Sequence, residues 1–261
     1  MNRKIHKFNY KYLLIIFIVI VFSFFLFYYF FNYKVNSRVN NLKNYKSSDS
    51  YVHAVGWLKI QGTNIDYPVI YNSSSIDINA IGEENYLWTN VNNKKISNRV
   101  FIVGHNIKNV SKNPLITNKD HVRFEQLLSF VYYDFAKDNE YVQYTIDGTD
   151  YLYKIFSISF IDNDKLDYGM NSYKKEKLDK YINNSIKSSL FKYNVKVNKN
   201  DSVITLVTCT RMFGAYANKA FKIDARMVRK GEFTNKYKVT KNKNYNNILD
   251  IMEGDNENEK A

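Results

Sequence analysis

A succession of short β-rich runs, which begins near residue 51, limits the folds that are open to this chain. The runs are separated by turn signals, among them Asp147-Gly148, which is typical of a two-residue β-hairpin. Many short strands with few helices predict a mainly β domain, built as a barrel or a sandwich with helical insertions. The clearest strands are the runs 55–60, 65–72, 99–106, 141–146, 151–161, 203–209 and 220–228.

Two segments between these runs have the periodicity of helices. Residues 121–139 and 172–190 each repeat apolar side chains at helical spacing, so we predict a helix in each. The apolar positions are Phe124, Leu127, Leu128 and Val131 in the first segment, and Leu178, Ile182 and Ile186 in the second.

The N-terminal part of the chain carries an uncharged apolar and aromatic run at residues 12–31. Its length is about what a helix needs to cross a bilayer. We expect an uncleaved signal-anchor, because the run is too long for an ordinary signal peptide and no small-residue cleavage site follows it. The expected organisation is a basic cytoplasmic end (1–11), a transmembrane helix (12–31), a linker or N-terminal helix (32–50), an extracellular folded domain (51–230) and a partly disordered C-terminal tail (231–261).

The composition limits the classes of function that are open to this chain. Its 261 residues carry a formal net charge of +13, but the basic residues are spread along the chain, so no nucleic-acid partner is predicted. A basic domain outside a cell would instead be drawn to anionic lipid or wall polymer. The one cysteine, Cys209, excludes an intramolecular disulfide, and a lone thiol in an exported domain is a candidate reactive group.

Cys209 and one histidine stand at equivalent places in the strand pattern. Cys209 ends the run 203–209, and His105 lies at the end of the run 99–106. Strand ends hold side chains rigidly at a rim where a cleft can form, so these two residues are candidates for a nucleophile and its partner. The competing interpretation is that His105 is a hydrogen-bonded structural residue. The other histidines, which are less suited by their positions, are His6, His53 and His121.

The segments around these two residues resemble the sortase family. T-L-V-T-C at 205–209 is similar to the T-L-x-T-C signature of sortases, and G-H-N at 104–106 is similar to their catalytic histidine segment. The stretches V-G-W-L-K-I-Q-G-T-N-I-D-Y-P-V at 55–69 and R-F-E-Q-L-L-S-F-V-Y-Y-D-F-A-K at 123–137 resemble class B sortases, particularly the branch associated with pilus operons. The resemblance covers about residues 50–228 and implies a closed sortase-like β-barrel.

The resemblance also implies a covalent mechanism. Cys209 would attack a threonyl carbonyl in the C-terminal sorting signal of another surface protein, and His105 would protonate the leaving amine. The resulting thioester would pass to an amine of cell-wall peptide or to a pilin lysine. No metal and no other cofactor is expected for this reaction.

One position departs from the family pattern. Sortases carry an arginine at the start of the strand after the cysteine strand, where this sequence has Ala220. That arginine supports the oxyanion, and the loss of one such donor typically costs about 2.7–4 kcal/mol. The sequence therefore leaves the level of activity open. Candidates for oxyanion or substrate support are Lys219, Lys222, Arg211 and Thr208.

Two other functions remain open at this point. A non-catalytic or strongly weakened sortase-like module could bind sorting signals or pilins without joining them, and Ala220 favours this reading. An L,D-transpeptidase-like cell-wall enzyme is the second, because the residues 209–212 (Cys-Thr-Arg-Met) are similar to that family's Cys-x-Arg-Met ending. That family has glycine directly before the cysteine, where this chain has Thr208.

Overall fold

The structure, a computed structural model, describes residues 14–29, 52–72, 87–89, 97–116, 121, 123–167, 173–214 and 216–253. Its strands are β1 (Val52–Ile60), β2 (Asp66–Asn72), β3 (Leu87–Thr89), β4 (Arg99–Val103), β5 (Tyr141–Ile146), β6 (Thr149–Asp162), β7 (Phe191–Tyr193), β8 (Val203–Cys209), β9 (Lys219–Met227) and β10 (Val239–Lys241). Its helices are α1 (14–29), α2 (Tyr133–Asp138), α3 (Lys175–Ser188) and α4 (Lys243–Glu253), with 3-10 helices at Glu125–Val131 and Asn163–Lys165.

A closed β-barrel forms the centre of the molecule. The strands β1, β2, β3, β4, β8, β9, β6 and β5 pair in that order around the barrel. Because side chains alternate along a strand, each strand sends one set of residues inward and the other set outward. The inward set forms the main hydrophobic core and includes Leu58, Ile102, Leu206 and Ile223. The prediction of a mainly β barrel with helical insertions is confirmed.

The hairpin between β5 and β6 follows the sequence prediction. The turn residues Asp147 and Gly148 have φ values of 47° and 74°. Both lie in the left-handed region, as the tight turn between twisted antiparallel strands requires. Ile146 and Thr149 pair directly beside the turn, which confirms the predicted hairpin.

The predicted single helix over 121–139 is wrong. The segment contains the 3-10 helix Glu125–Val131 and the short helix α2, and it is interrupted at Tyr132, whose φ and ψ are −81° and 127°. Every residue of the 3-10 helix is buried, including its polar residues. A segment that is enclosed on all sides takes its conformation from tertiary packing, so the helical period did not predict it.

Helix α3 confirms the second predicted helix but buries a different face. Leu178 and Ile182 are buried as expected, whereas Ile186 is 45% exposed and Ser185 is only 2% exposed. The Ser185 carbonyl accepts a hydrogen bond from the Ser157 hydroxyl of β6 at 2.7 Å. Polar contacts to the barrel therefore displace Ile186 from the buried face.

Both ends of the chain are described in part. Helix α1 lies within the predicted transmembrane segment 12–31, whose residues 12, 13, 30 and 31 fall outside the described residues. Over the described residues, no helix has both the length and the apolar character that crossing a membrane requires. The predicted end 1–11 and linker 32–50 also lie outside them.

The C-terminal tail (231–261), which the sequence predicts to be partly disordered, contributes two elements to the fold. Strand β10 pairs with β7, and α4 packs Tyr245, Ile248 and Met252 against the core. Residues 254–261 lie outside the described part of the chain.

Candidate active site

The strands that carry the two candidate catalytic residues are direct neighbours. Strands β4 and β8 are parallel and pair along the whole length of β4. Their register continues past the end of β4, because the Gly104 N–H donates to the Val207 carbonyl at 3.2 Å. The Thr208 hydroxyl donates to the Gly104 carbonyl at 2.7 Å. Residue 104 therefore lies beside residue 208, and the hydroxyl of Thr208 is committed to the backbone.

One residue further along the same register, His105 follows Gly104 and Cys209 follows Thr208. The side-chain amide of Asn106 donates to the Cys209 carbonyl at 3.0 Å, which holds the two chain segments together at this point. Neighbouring strands are about 4.8 Å apart, so the backbones of His105 and Cys209 are adjacent. Both residues are partly exposed. The structure thus brings the predicted pair to one rim of the barrel.

Gly104 allows this rim to pack closely on the core. A Cβ atom at position 104 would lie 2.5 Å from Leu87 Cδ2 and 2.6 Å from Phe124 Cγ. Contacts that short are not tolerated between carbon atoms in a packed core. A side chain at residue 104 would therefore push the His105 backbone away from its present place beside β8.

The thiol of Cys209 lies in an apolar environment on the outer face of the barrel. Burial raises the pKa of the Cys209 thiol to about 11, and the positive charge of Arg211 opposes this effect. The thiol is therefore predominantly neutral at neutral pH, and a nearby base is needed for it to react as thiolate. The buried members of the apolar cluster are Phe101, Val103, Leu166, Val207 and Ala220, with Ile161 and Cys209 packed against them.

Ala220 is the direct cross-strand partner of Cys209. Strands β8 and β9 are antiparallel, with Cys209 opposite Ala220, and Ala220 is 0% exposed. Cβ atoms of residues directly opposite each other are about 4.5–5.5 Å apart and project from the same face. A longer side chain at 220 would begin beside the thiol, whereas alanine contributes no hydrogen-bond donor there.

Lys219 is held on the other side of β9. Consecutive residues of a strand face opposite sides, so Lys219 points away from the face of Ala220. Its ammonium forms an ion pair with Asp162 at the end of β6. Hydrogen bonds from Lys165 and Lys219 lower the pKa of Asp162 to about 2, so this carboxylate remains charged.

Lys222 shares the face of Cys209 but belongs to a buried polar network. Its ammonium lies 2.8 Å from a carboxylate oxygen of Asp224 and donates to the Ser185 hydroxyl at 2.9 Å. Burial acts to lower the pKa of Lys222, but the charge of Asp224 and the nearby Tyr181 outweigh it, so this pKa is raised. Lys222 is therefore a charged residue already committed to neighbours within the fold.

Arg211 occupies the turn that follows Cys209. It is exposed, whereas Thr210 and Met212 on either side of it are buried. The turn is closed by a hydrogen bond from the Gly214 N–H to the Arg211 carbonyl at 2.9 Å. Of the three candidate cations, Arg211 is the one whose charge acts on the pKa of Cys209.

A cavity of about 300 Å³ lies beside the apolar cluster, between α3 and the outer faces of β6 and β9. Ile161 and Leu166 belong both to its wall and to the cluster that contains Cys209. Arg99, Tyr181 and Lys222 supply polar and charged groups to the lining. Cys209 and His105 do not line this cavity, which therefore adjoins the rim and does not include it.

Asn106 is the residue of the rim to which the sequence interpretation gave no role. It belongs to the G-H-N motif, and its place directly after His105 is the feature of the sequence that could have pointed to it. Its amide contact with Cys209 depends on the pairing of β4 with β8, which only the folded chain reveals. Within the described residues, no group of histidine, cysteine and carboxylate side chains is arranged to hold a metal ion.

No protein-family model matches the chain. It is 28% identical over 160 residues to Sortase B of Listeria monocytogenes, and the match covers 59% of this chain and 62% of that relative. The chain thus matches less than two thirds of the relative's length.

Two solved structures of low sequence identity share the fold. One is sortase B of Clostridium perfringens, with a TM-score of 0.55 and 23% identity, covering 67% of this chain and 94% of that one. The other is the Staphylococcus aureus sortase B–substrate complex, with a TM-score of 0.54 and 18% identity, covering 67% and 80%. The resemblance to class B sortases is therefore confirmed: the chain is similar in sequence to a sortase B and shares the fold of the solved sortase B structures.

Proposed function

We propose that this chain is a cell-surface cysteine transpeptidase that cleaves a C-terminal sorting signal and joins the released protein to an amine. The observation that carries the proposal is the continued β4–β8 register, which sets His105 beside Cys209 at an accessible rim. A nucleophile next to a general acid–base is the arrangement that covalent acyl transfer needs. The sortase B relatives support the same reaction class.

The reaction would proceed through a thioester on Cys209. The thiol gives its proton to His105, the sulfur bonds to a threonyl carbonyl carbon, and the peptide C–N bond breaks as His105 returns the proton to the leaving amine. An acceptor amine of cell-wall peptide or a pilin lysine then attacks the thioester. It forms a new amide, loses a proton to His105 and releases the Cys209 sulfur, which takes that proton back.

Arg211 is the residue we propose to support the oxyanion in place of the family's arginine. Lys219 and Lys222 are bound to Asp162 and Asp224, whereas Arg211 is exposed and its charge acts on the Cys209 thiol. A guanidinium offers several donors in a planar fork and suits a developing oxyanion better than an ammonium does. The charge that stabilises a thiolate also stabilises an oxyanion formed next to it.

The proposed substrates are surface proteins or pilins that bear a sorting signal. A sortase B from Staphylococcus aureus has been solved as a substrate complex. In this chain, the cavity next to Ile161 and Leu166 offers apolar walls close to the rim. Such a lining suits the side chains of an extended peptide whose carbonyl lies at the rim.

We propose that residues 12–31 anchor the enzyme, with the N-terminus in the cytoplasm and the catalytic domain outside. The segment carries no charged residue, and large apolar side chains of α1, such as Phe24 and Phe27, are exposed on the isolated chain. Protease added to intact protoplasts should remove the domain from residue 51 onward. Protection of that domain with digestion of the N-terminus would show that the orientation is reversed.

The test of the proposed function is to trap the acyl-enzyme. The protein is incubated with sorting-signal peptides, and intact-mass spectrometry measures the adduct on Cys209. We expect a thioester that hydroxylamine cleaves. Cys209→Ala should abolish this thioester, and His105→Gln should form it at least about a hundredfold more slowly. A folded protein that forms no adduct with any such peptide would refute the transpeptidase.

A binding module is the second candidate, because Ala220 leaves the position beside the thiol without a donor. In that case, the protein would bind sorting peptides with the same affinity whether residue 209 is cysteine or alanine. It would also form no thioester over many hours. Affinity measured on Cys209→Ala and adduct formation measured on the native chain therefore separate the two functions.

A further inference from the structure

Asn106 uses its whole side-chain amide to join the loop after β4 to the end of β8. It is only 6% exposed. Its Nδ2 donates to the Cys209 carbonyl at 3.0 Å and to the Asn109 carbonyl at 2.7 Å. Its Oδ1 accepts from the Asn109 N–H at 3.0 Å. One buried side chain therefore contacts the backbone of Cys209 and stabilises the turn that follows His105.

The contact takes the place of a backbone bond in the parallel ladder. In the β4–β8 register, the Gly104 N–H donates to the Val207 carbonyl, so the next bond in the same direction would join the N–H of residue 106 to the Cys209 carbonyl. The chain has left the strand by then, and the Asn106 side chain supplies the donor. The ladder is thus continued by one residue past the end of β4.

A second asparagine anchors the first. Asn109 is 2% exposed, and its Oδ1 accepts from the Leu115 N–H at 2.7 Å. Its Nδ2 donates to the carbonyls of Leu115 and Glu125 at 3.0 Å and 2.9 Å. Asn106 is therefore bonded to a loop that is itself fixed to the buried 3-10 helix.

His105 is held from the side of the 3-10 helix as well. The Phe124 N–H donates to the His105 carbonyl at 3.0 Å. This bond and the contact of Asn106 with Cys209 together fix the backbone of His105 between the 3-10 helix and β8. The imidazole then has only its side-chain torsions to vary relative to the thiol of Cys209.

We infer that Asn106 is a positioning residue for the pair: its amide holds the carbonyl of Cys209 and the turn after His105 in one rigid unit, so that imidazole and thiol keep the separation that proton transfer needs. This inference rests on the proposed function. Asn106 contacts the backbone of Cys209, so it acts through the two residues and not on the substrate. A loss of position of about 1 Å between reacting groups can cost about a hundredfold in rate.

The test compares Asn106→Ala with a matched control at the opposite end of β4. Asn98 also joins two distant segments by its amide: its Nδ2 donates to the Tyr173 carbonyl at 2.7 Å, and its Oδ1 accepts from the Tyr173 N–H at 3.0 Å. We expect Asn106→Ala to lower kcat for transpeptidation at least about tenfold with little change in KM. Asn98→Ala should lower the melting temperature comparably and leave kcat within about twofold of the native value.

A second measurement needs no sorting peptide. The rate of alkylation of Cys209 by iodoacetamide is followed against pH in the native protein, in His105→Gln and in Asn106→Ala. If Asn106 positions the pair, its variant should shift the profile towards that of His105→Gln, while Asn98→Ala keeps the native profile. If Asn106→Ala does not fold, Asn106→Leu, which is close to asparagine in shape and carries neither a donor nor a charge, is measured instead.

The outcomes separate this inference from the proposed function. A native profile in the Asn106 variant, with kcat no lower than in Asn98→Ala, would overturn the positioning role. Identical profiles for the native protein and His105→Gln would overturn it too, because there would be no coupled pair to position. A shifted profile in a protein that forms no thioester would refute the transpeptidase and support the positioning of the pair by Asn106.

Discussion

Placing an arginine at position 220 tests directly whether the missing donor limits this enzyme. Ala220 lies opposite Cys209 on the same face of the sheet, so an arginine there would extend beside the thiol. One preorganised donor to an oxyanion is typically worth about 2.7–4 kcal/mol, or a hundred- to a thousandfold in rate. Because Arg211 already contributes charge at this site, we expect Ala220→Arg to raise kcat/KM at least about tenfold, which corresponds to about 1.4 kcal/mol.

The same change has a cost in stability. Ala220 is buried among apolar neighbours, including Ile161 and Leu166, so the longer side chain must displace them. Overpacking of this kind costs about 1–3 kcal/mol. The cavity of about 300 Å³ behind Ile161 and Leu166 gives these residues room to move, which favours the lower part of that range. For a domain of this size, each kcal/mol lowers the melting temperature by about 2–4 °C.

The assay measures kcat/KM on an internally quenched sorting peptide, with the melting temperature recorded for each variant. Ala220→Met is the matched control, because it overpacks the same site without adding a donor. We expect the methionine variant to lose stability comparably and to gain no activity. Equal activities of the arginine and methionine variants would refute the reasoning that position 220 limits oxyanion stabilisation. Adding Cys209→Ala to either variant must abolish the thioester.

Two further predictions follow from the charges around the barrel. Arg211→Gln should lower kcat/KM at least about tenfold and move the alkylation profile of Cys209 to higher pH, because the charge of Arg211 lowers the pKa of that thiol; unchanged kinetics would remove it from the site. Hydrogen bonds from Arg226 and Lys154 hold the pKa of Glu232 below its usual range. The ionised carboxylate of Glu232 therefore stabilises the fold fully above pH about 4.3, the usual pKa of a glutamate, and this stabilisation is lost as the pH falls further. Glu232→Gln should therefore lower the free energy of unfolding at pH 7 by about 3 kcal/mol and flatten its acid dependence, as urea denaturation at several pH values would show.

The main strands and the hairpin between β5 and β6 could be predicted because their signals are local. Alternation along each strand reports which side chains turn inward, and Asp147-Gly148 encodes a turn whose two residues take positive φ. The helical segments were harder to predict, because their conformation depends on contacts with the rest of the fold. The residues Glu125–Val131 are enclosed by the rest of the fold, and Ser185 replaces Ile186 on the buried face of α3 because it contacts the barrel. These outcomes depend on neighbours that are distant in sequence.

Seven of the described strands, the types of reactive side chain and the departure at Ala220 follow from the sequence, since each of these can be read within a few consecutive residues, whereas the short strands β3, β7 and β10 do not. Only the tertiary structure decided that β4 pairs with β8, and with it that Asn106 reaches the carbonyl of Cys209. It also decided which cations have carboxylate partners: Lys219 is bound to Asp162, and Lys222 to Asp224. Local sequence cannot encode these facts, because strand order and ion pairing are set by the closure of the barrel as a whole.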